Sequence, residues 1–436
     1  MNTYKHLRNV LTYHINKLYD VRSIFCVNPE KDFTRNRKLN FKEVIWNIIS
    51  MECGSLKDEL LKLNNFSIDT PSASAFVQAR SKIKSDAFKT LLRRFNEKTH
   101  KDKLYKGYRL LSVDGTELPI DNTVYDEETT VLMKSKTKKP YSPYHINALY
   151  DLLECTYDDL IIQGQAIMNE NDAFCQLVDH YKGKKAIFMA DRNYESYNGF
   201  EHVVKSGHYY LIRVKDITSK QCMTQSLGPY PETDEFDINV FRMLTLKQTK
   251  MVKACPQLYR FLPNSTRFDF ISKEDPFYEF SCRIVRFKIS DDAYECIITN
   301  LDKNEFPMEE IKELYNKRWG IETSFRELKY AIGLNALHSR KRNLIQQEIY
   351  ARIILYNFSQ RIVQDIKITK KERKYKYQVN FSRAFHIIRS NITKKGGKVP
   401  PVEDLIAKEI LPVRPGRSNT RNIKPKTLVC FNYRYD

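Results

Sequence analysis

The sequence predicts an α/β fold: a sheet-bearing core interrupted by a mainly β insertion, set between a helical N-terminal region and a basic C-terminal region. Three observations lead there. Short apolar segments run into an acid at Asp114 and again at Asp191. Segments of alternating polarity fill residues 216–305. Apolar residues recur at a period of 3.6 near the N-terminus and again from Met308.

Residues 1–105 read as helical. Phe41 to Met51 is amphipathic, and Leu56 to Leu63 follows a break at Gly54. Pro71-Ser72-Ala73-Ser74 opens a helix with a small, basic-ended face (Gln78, Arg80, Lys82), and Ser85-Asp86 caps the next. Short helices joined by tight turns fit a helix-turn-helix-like DNA-binding unit, although many small helical domains share that pattern. From Tyr108 the pattern changes. Arg109 to Asp114 is a short apolar strand ending in Asp-Gly-Thr, and His145 to Leu153 and Asp158 to Gln165 are two more. A helix from about Asn171 to Tyr181, a buried strand Lys185 to Asp191, a helix near Asn198 to Ser206 and a strand His208 to Val214 follow. Three strands, helix, strand, helix, strand is the order of an RNase H-like (retroviral-integrase-like) core, in which acids at neighbouring strand ends can meet at one edge. Its first part spans 106–215. The insertion, 216–305, alternates at Glu235 to Thr249, Phe277 to Ser290 and Ala293 to Leu301, with a turn at Asp291-Asp292. Residues 306–366 return to helix, and 367–436 form the basic C-terminal region, for DNA contact or dimerisation.

Lys and Arg number 73 against 53 Asp and Glu, a formal charge of +20. Such a balance favours a polyanionic partner through phosphate neutralisation and counterion release. Residues 367–436 hold 18 of the cations and only 5 of the acids. Within them Arg414 to Lys426 reads as an extended basic arm, and Tyr375, Tyr377, Tyr433 and Tyr435 lie among the cations. No apolar run approaches the roughly 20 residues that span a bilayer, and Met1 to His6 lacks the apolar core of a signal peptide. A membrane partner is therefore not expected, and a cytoplasmic protein is. The nine cysteines are scattered without a C-x-x-C pair, and the nine histidines form no H-x-x-x-H pair with a third ligand. Reduced thiols are expected, and any metal should be a hard ion held by carboxylates.

The stretch Leu314 to Lys329 carries the chemistry. At about 100° per residue, Tyr315, Arg318, Glu322 and Lys329 fall within an arc of roughly 60°, with Arg326 beside them. Leu314, Ile321, Phe325, Leu328 and Ile332 form a separate apolar stripe. One edge thus offers a carboxylate among cations and a phenol. Taken singly, Asp-Gly marks a hairpin turn, an acid after a strand caps a helix, and a helical Glu faces solvent. Taken together, Asp114, Asp191 and Glu322 suit a two-metal phosphoryl-transfer site. Two divalent ions about 3.5–4 Å apart can activate the attacking oxygen and stabilise the leaving oxygen. Asp114 is expected to bridge both ions, with Asp191 on one and Glu322 on the other. Arg318 and Lys329 would clamp phosphate oxygens, and Tyr315 would bond a phosphate or a terminal nucleotide.

Asp114-Gly115-Thr116, Asp191-Arg192-Asn193-Tyr194 and the array Tyr315-x2-Arg318-x3-Glu322-x6-Lys329 resemble the signatures of DDE insertion-sequence transposases. The branch is insertion-sequence family four, and the resemblance covers about 30 to 430. It implies catalytic Asp114, Asp191 and Glu322, two Mg²⁺ or Mn²⁺ ions, and cut-and-paste movement of a DNA element. Terminal inverted repeats and target DNA are the implied substrates, and a homodimer on paired ends the implied assembly. Members nick with water, form a hairpin through the freed 3′-hydroxyl, resolve it and then transfer strands. A relative holds a flipped base with a tryptophan from the insertion. The two tryptophans here are Trp46 and Trp319, which leaves Phe270, Phe277, Tyr278 or Phe280 for that stacking. Two other classes share part of the pattern: a DNA-binding relative that no longer cuts, and an RNase H-like nuclease without strand transfer.

Overall fold

The computed structural model describes residues 2–35, 37–120, 127–129, 142–219, 222–290, 293–368, 374–394 and 399–414. The expected Asp291-Asp292 turn, the basic arm beyond Arg414, and Tyr433 and Tyr435 lie outside these residues.

Short polar side chains start the first helices. Asn2, Asn40, Ser55 and Ser72 each accept a backbone N–H three residues on, which satisfies a donor the helix itself leaves free. These residues open α1 (Thr3–Asp20), α3 (Phe41–Ser50), α4 (Leu56–Leu63) and α5 (Ala73–Arg80); a single turn, α2 (Arg22–Phe25), follows α1, and α6 (Asp86–Thr99) ends the series. On α1 the buried residues Tyr4, Leu7, Leu11, Ile15 and Leu18 form one stripe at helical spacing. They share a core with Phe88, Leu91, Leu92 and Phe95 of α6.

The strands follow as β1 (Arg109–Ile120), β2 (Ser142–Asp151), β3 (Thr156–Gly164), then α7 (Glu170–His180), β4 (Ala186–Ala190), α8 (Tyr197–Lys205) and β5 (Tyr209–Val214). This is the element order expected for an RNase H-like core. The three alternating segments of the insertion are strands too: β6 (Phe236–Thr245), β8 (Phe277–Ser290) and β9 (Ala293–Thr299), with α9 (Lys250–Ala254) and β7 (Tyr259–Phe261) between the first two. They do not form a separate sheet. Strand β9 pairs antiparallel with β5, so nine strands run on in the order β3-β2-β1-β4-β5-β9-β8-β6-β7. Strands β1, β4 and β5 are parallel neighbours, and β2 and β3 return antiparallel beside β1.

After the sheet come α10 (Met308–Lys317), α11 (Trp319–Arg326), a π-helical segment Glu327–Ala331, and α12 (Arg342–Val363). Nearly every residue of α12 is buried, because it packs between α3, α6, β3 and α13 (Phe381–Arg389). A small two-stranded antiparallel sheet of β10 (Lys376–Val379) and β11 (Ile410–Val413), with α14 (Val402–Lys408), completes the described chain. Among the described residues no helix is long and apolar enough to cross a membrane, and all eight described cysteines are free.

Two expectations for the N-terminal helices change. Arg80, read as part of an exposed basic face, is 1% exposed and ion-paired with Glu348 at 2.9 Å. Its guanidinium also donates to the Leu344 carbonyl at 2.9 Å, so it fastens α5 to α12. Ser85, expected to cap α6, gives its hydroxyl to Gln346 of α12 instead.

The same junction contains His338, whose ring bridges Glu59 (3.0 Å) and Glu348 (3.2 Å) with all three side chains buried. Burial opposes the imidazolium, but hydrogen bonds to Glu348 and Glu59 outweigh it and raise the pKa above 6.5. The stabilisation is therefore fully present below about pH 6.5 and is lost as pH rises through the raised value. Urea unfolding from pH 5 to 9 should show this loss in the wild type. His338→Gln should remove that part of the pH dependence, and an unchanged profile would exclude the charged bridge.

Candidate active site

Strand register brings the two aspartates level. Parallel pairing of β1 with β4 ends at Ser112 and Met189, and two steps further along each chain stand Asp114 and Asp191. Strand β4 stops at Ala190, while β1 runs on to Ile120 rather than turning at Gly115. The acids thus lie where β1 loses its parallel neighbour, Asp191 just past the carboxyl end of β4 and Asp114 level with it on β1; the carboxyl ends of parallel strands are a common place for ligand sites in open sheets. Asp114 accepts the Gly115 N–H at 2.8 Å. Asp191 starts a 3₁₀ turn, Arg192–Tyr194, by accepting the Asn193 N–H at 2.9 Å.

Glu322 arrives from above on α11. Arg318, at the break between α10 and α11, donates to Glu322 at 2.8 Å and lies 3.6 Å from the Asp114 carboxylate. Its side chain is only 4% exposed, and its Nε and Nη1 have no hydrogen-bond partner. The Tyr315 hydroxyl is likewise buried without a partner, and the Arg318 guanidinium stands 5.6 Å from its ring centroid. Burial pushes that phenol up to about 12, against the opposing charge of Arg318. Unpaired donors grouped beside carboxylates are costly unless a ligand satisfies them.

Burial also pushes the Asp114 carboxyl up to about 7; the Gly115 N–H and Arg318 oppose the rise, while the charges of Asp191 and Glu322 add to it. Three carboxylates within electrostatic reach of one another are relieved by a cation, and Arg318 serves as one here. The donor set is all carboxylate oxygen, which suits Mg²⁺ or Mn²⁺. Among the described residues no three potential ligands are already closed into a metal-binding group; the match of the acids to such ions is one of chemistry, and Arg318 stands between Asp114 and Glu322.

Of the sequence candidates, Asp114, Asp191, Tyr315, Arg318 and Glu322 come together. Lys329 lies in the π segment, where the wider turn departs from a strict 3.6 period. Its ammonium feels Glu117 of β1, and burial lowers its pKa. Arg326 is exposed, beside Glu327. The insertion aromatics are committed elsewhere: Phe280 is fully buried, Tyr278 donates to Glu201 at 2.7 Å, Phe270 packs on His202, and Phe277 lies under Lys247.

Sequence reasoning passed over three features of the site: a tryptophan, an arginine and a histidine–glutamate pair. Trp319 is 52% exposed on the helix of Glu322, with the Arg318 guanidinium 5.1 Å from its ring. Arg213 on β5, 3.4 Å from Glu295, faces the Tyr315 phenol. His145 and Glu170, 3.0 Å apart, back the strand at Gly115. Trp319 could have been noticed from its place beside Arg318; the other two carry no local signal. A Cβ on Gly115 would stand 2.4 Å from His145 Nε2 and 2.8 Å from Glu170 Oε1. Gly115→Ala should therefore cost about 1–3 kcal/mol of stability as overpacking and lower any activity that depends on Asp114. A calorimetric melt indistinguishable from the wild type would show that the pair yields freely.

Residues 105–358 match the family model described as the transposase DDE domain. No curated protein matches the chain. Among solved structures it is similar to the piggyBac transposase in a synaptic complex with hairpin DNA, at 10% identity and a TM-score of 0.42, covering 86% of this chain and 76% of that one.

Proposed function

Since the chain belongs to the transposase DDE domain family, we propose that it is an insertion-sequence transposase of family four, moving its element by metal-dependent cut and paste. The observation that carries this is the level placement of Asp114 and Asp191 on adjoining strands, with Arg318 linking Asp114 to Glu322.

Asp114, Asp191 and Glu322 would hold two Mg²⁺ or Mn²⁺ ions. Bound there, the ions supply activation of the attacking oxygen and stabilisation of the leaving oxygen in an in-line displacement. The chain's own groups do the rest. Arg318 exchanges its carboxylate partners for non-bridging phosphate oxygens, which its planar fork matches in geometry. The Tyr315 hydroxyl, buried without a partner, donates to the same phosphate or its nucleotide. Lys329 and Arg326 meet the backbone of the flanking DNA. Duplex ends are held by the helical region 1–105 and the basic region 367–436, on a homodimer that pairs two ends in the bacterial cytoplasm. Water attacks first; the freed 3′-hydroxyl then forms a hairpin on the opposite strand, which is resolved before strand transfer to the target.

The test is a labelled duplex carrying the element's own end, incubated with and without Mg²⁺ beside a target plasmid. End-specific, metal-dependent cleavage with joining to the plasmid supports the proposal. Cleavage without joining points to a nuclease, and binding without cleavage under Mg²⁺ or Mn²⁺ points to a DNA-binding relative.

A further inference from the structure

The helix that bears Glu322 is short. Helix α11 has eight residues, between the break at Arg318 and the π segment, whose wide turn closes where the Ile332 N–H donates to the Glu327 carbonyl at 3.0 Å. Helices of that length are marginal by themselves. What fixes the position of Glu322 must therefore come from side chains that tie the segment to the body.

Besides the apolar packing of Ile321, Phe325 and Leu328, two hydrogen-bonded ties exist, one buried and one half-buried. The Ser324 hydroxyl meets the Tyr157 hydroxyl of β3 at 2.7 Å. The other is Glu327, whose Oε2 accepts from the Tyr356 hydroxyl at 2.9 Å and from the Gln360 amide at 3.2 Å, both on α12. Gln360 also donates to the Tyr356 oxygen at 3.0 Å, and the Tyr150 hydroxyl of β2 lies 3.3 Å from it. Among the described residues Glu327 has no direct ion pair; the charge of exposed Arg326 reaches it, but its half-buried carboxylate is held by hydrogen bonds. Burying a carboxylate without a cation is unfavourable unless its oxygens are hydrogen-bonded. Solubility does not account for a group in that position, and none of the phosphate chemistry above uses it. Its carbonyl closes the π turn while its carboxylate is held by α12. One residue therefore sets both the end of the Glu322 helix and the phase at which Lys329 leaves it. Wide turns of this kind recur at functional sites.

Resting on the catalytic reading above, the geometry points to Glu327 as a positioning residue that holds Glu322 in register with Asp114 and Asp191 through Tyr356 and Gln360. It touches neither DNA nor metal. Its acceptor oxygen keeps the three carboxylates at a spacing that one set of divalent ions can use, so its loss weakens metal binding before it weakens DNA binding.

Mn²⁺ binding to the full chain, followed by electron paramagnetic resonance without DNA, tests this apart from activity. Glu327→Ala is expected to weaken Mn²⁺ binding at least tenfold. Tyr356→Phe, which removes one hydroxyl, should weaken it in the same direction by less. Glu327→Gln keeps an acceptor oxygen and should stay within threefold of the wild type. Leu91→Ala, a cavity in the core of α6, controls for stability loss and should leave Mn²⁺ affinity unchanged. End-DNA affinity without metal should change less than threefold in all four. Should Glu327→Ala prove unfolded, Tyr356→Phe decides alone. Wild-type Mn²⁺ affinity in a folded Glu327→Ala or Tyr356→Phe overturns the assignment, as does an equal loss in Leu91→Ala. If the wild type binds Mn²⁺ through Glu322 but never cleaves the end, the catalytic reading fails while the role of Glu327 stands.

Discussion

Glu322→Gln should reduce end cleavage by at least about a thousandfold, a barrier increase of ~4 kcal/mol, while end-DNA affinity stays within about threefold of the wild type. Glutamine preserves the size of the side chain and an oxygen for the Arg318 hydrogen bond, now at 2.8 Å. What it removes is the charge that would share a divalent cation with Asp114 and Asp191. The pair with Arg318 is partly open to solvent, since the Glu322 side chain is 37% exposed, so its loss contributes little to folding. Melting temperature should accordingly move little. Asp114→Asn is expected to match it in activity. Its effect on stability differs in sign: burial and neighbouring acids hold Asp114 up near 7, so replacement by a neutral amide relieves a strain present in the metal-free protein above about pH 4 and growing through pH 7. Single-turnover cleavage of a labelled end gives the rate, and filter binding without metal gives the affinity. Cleavage by Glu322→Gln within tenfold of the wild type would remove Glu322 from the chemistry.

Arg80→Ala should be the most destabilising of the single changes considered, by about 3–5 kcal/mol, because it leaves Glu348 buried with one cationic partner in place of two. Arg80 pairs with Glu348 at 2.9 Å, donates to the Leu344 carbonyl at 2.9 Å and lies 3.3 Å from Gln347. Replacing Arg80 by Met and Glu348 by Leu together should recover much of that loss, since removing both charges also removes the cost of desolvating them. Urea unfolding of the single and double variants separates the two cases. A loss below about 1 kcal/mol in Arg80→Ala would mean that His338, 3.2 Å from Glu348, already neutralises the carboxylate by itself.

The acids were legible because each sits at a boundary. An apolar run that stops at an acid marks the end of β4 at Asp191; at Asp114 the same signal marks not the end of β1, which runs on to Ile120, but the point where its pairing with β4 stops. Tyr315, Arg318 and Glu322 were legible through helical period, which survives the break at Arg318 because that residue keeps helical backbone angles. The π turn that carries Lys329 was not, since a single shift from an i+4 to an i+5 hydrogen bond leaves no mark in composition. Arg80 was misread for a different reason: on a short helix rich in small residues a lone cation looks solvated, and its partner Glu348 is 268 residues away. The union of the insertion with the main sheet was equally hidden. Alternation identified β6, β8 and β9 as strands, but nothing local says that β9 will lie against β5.

The burial of α12 among α1, α3 and α6 has a consequence for how the protein is made. Those N-terminal helices leave the ribosome first, at some 5–20 residues per second, and their apolar faces have no complete partner until Val363 has emerged. Strand β5 likewise waits for β9 across the whole insertion. Pairings so distant in sequence form slowly, because loop closure must be met before contacts reward it. A nascent chain therefore carries Asp114 and Asp191 for most of its synthesis with neither Glu322 nor the surrounding frame, and the three acids are set in place only once α12 has packed.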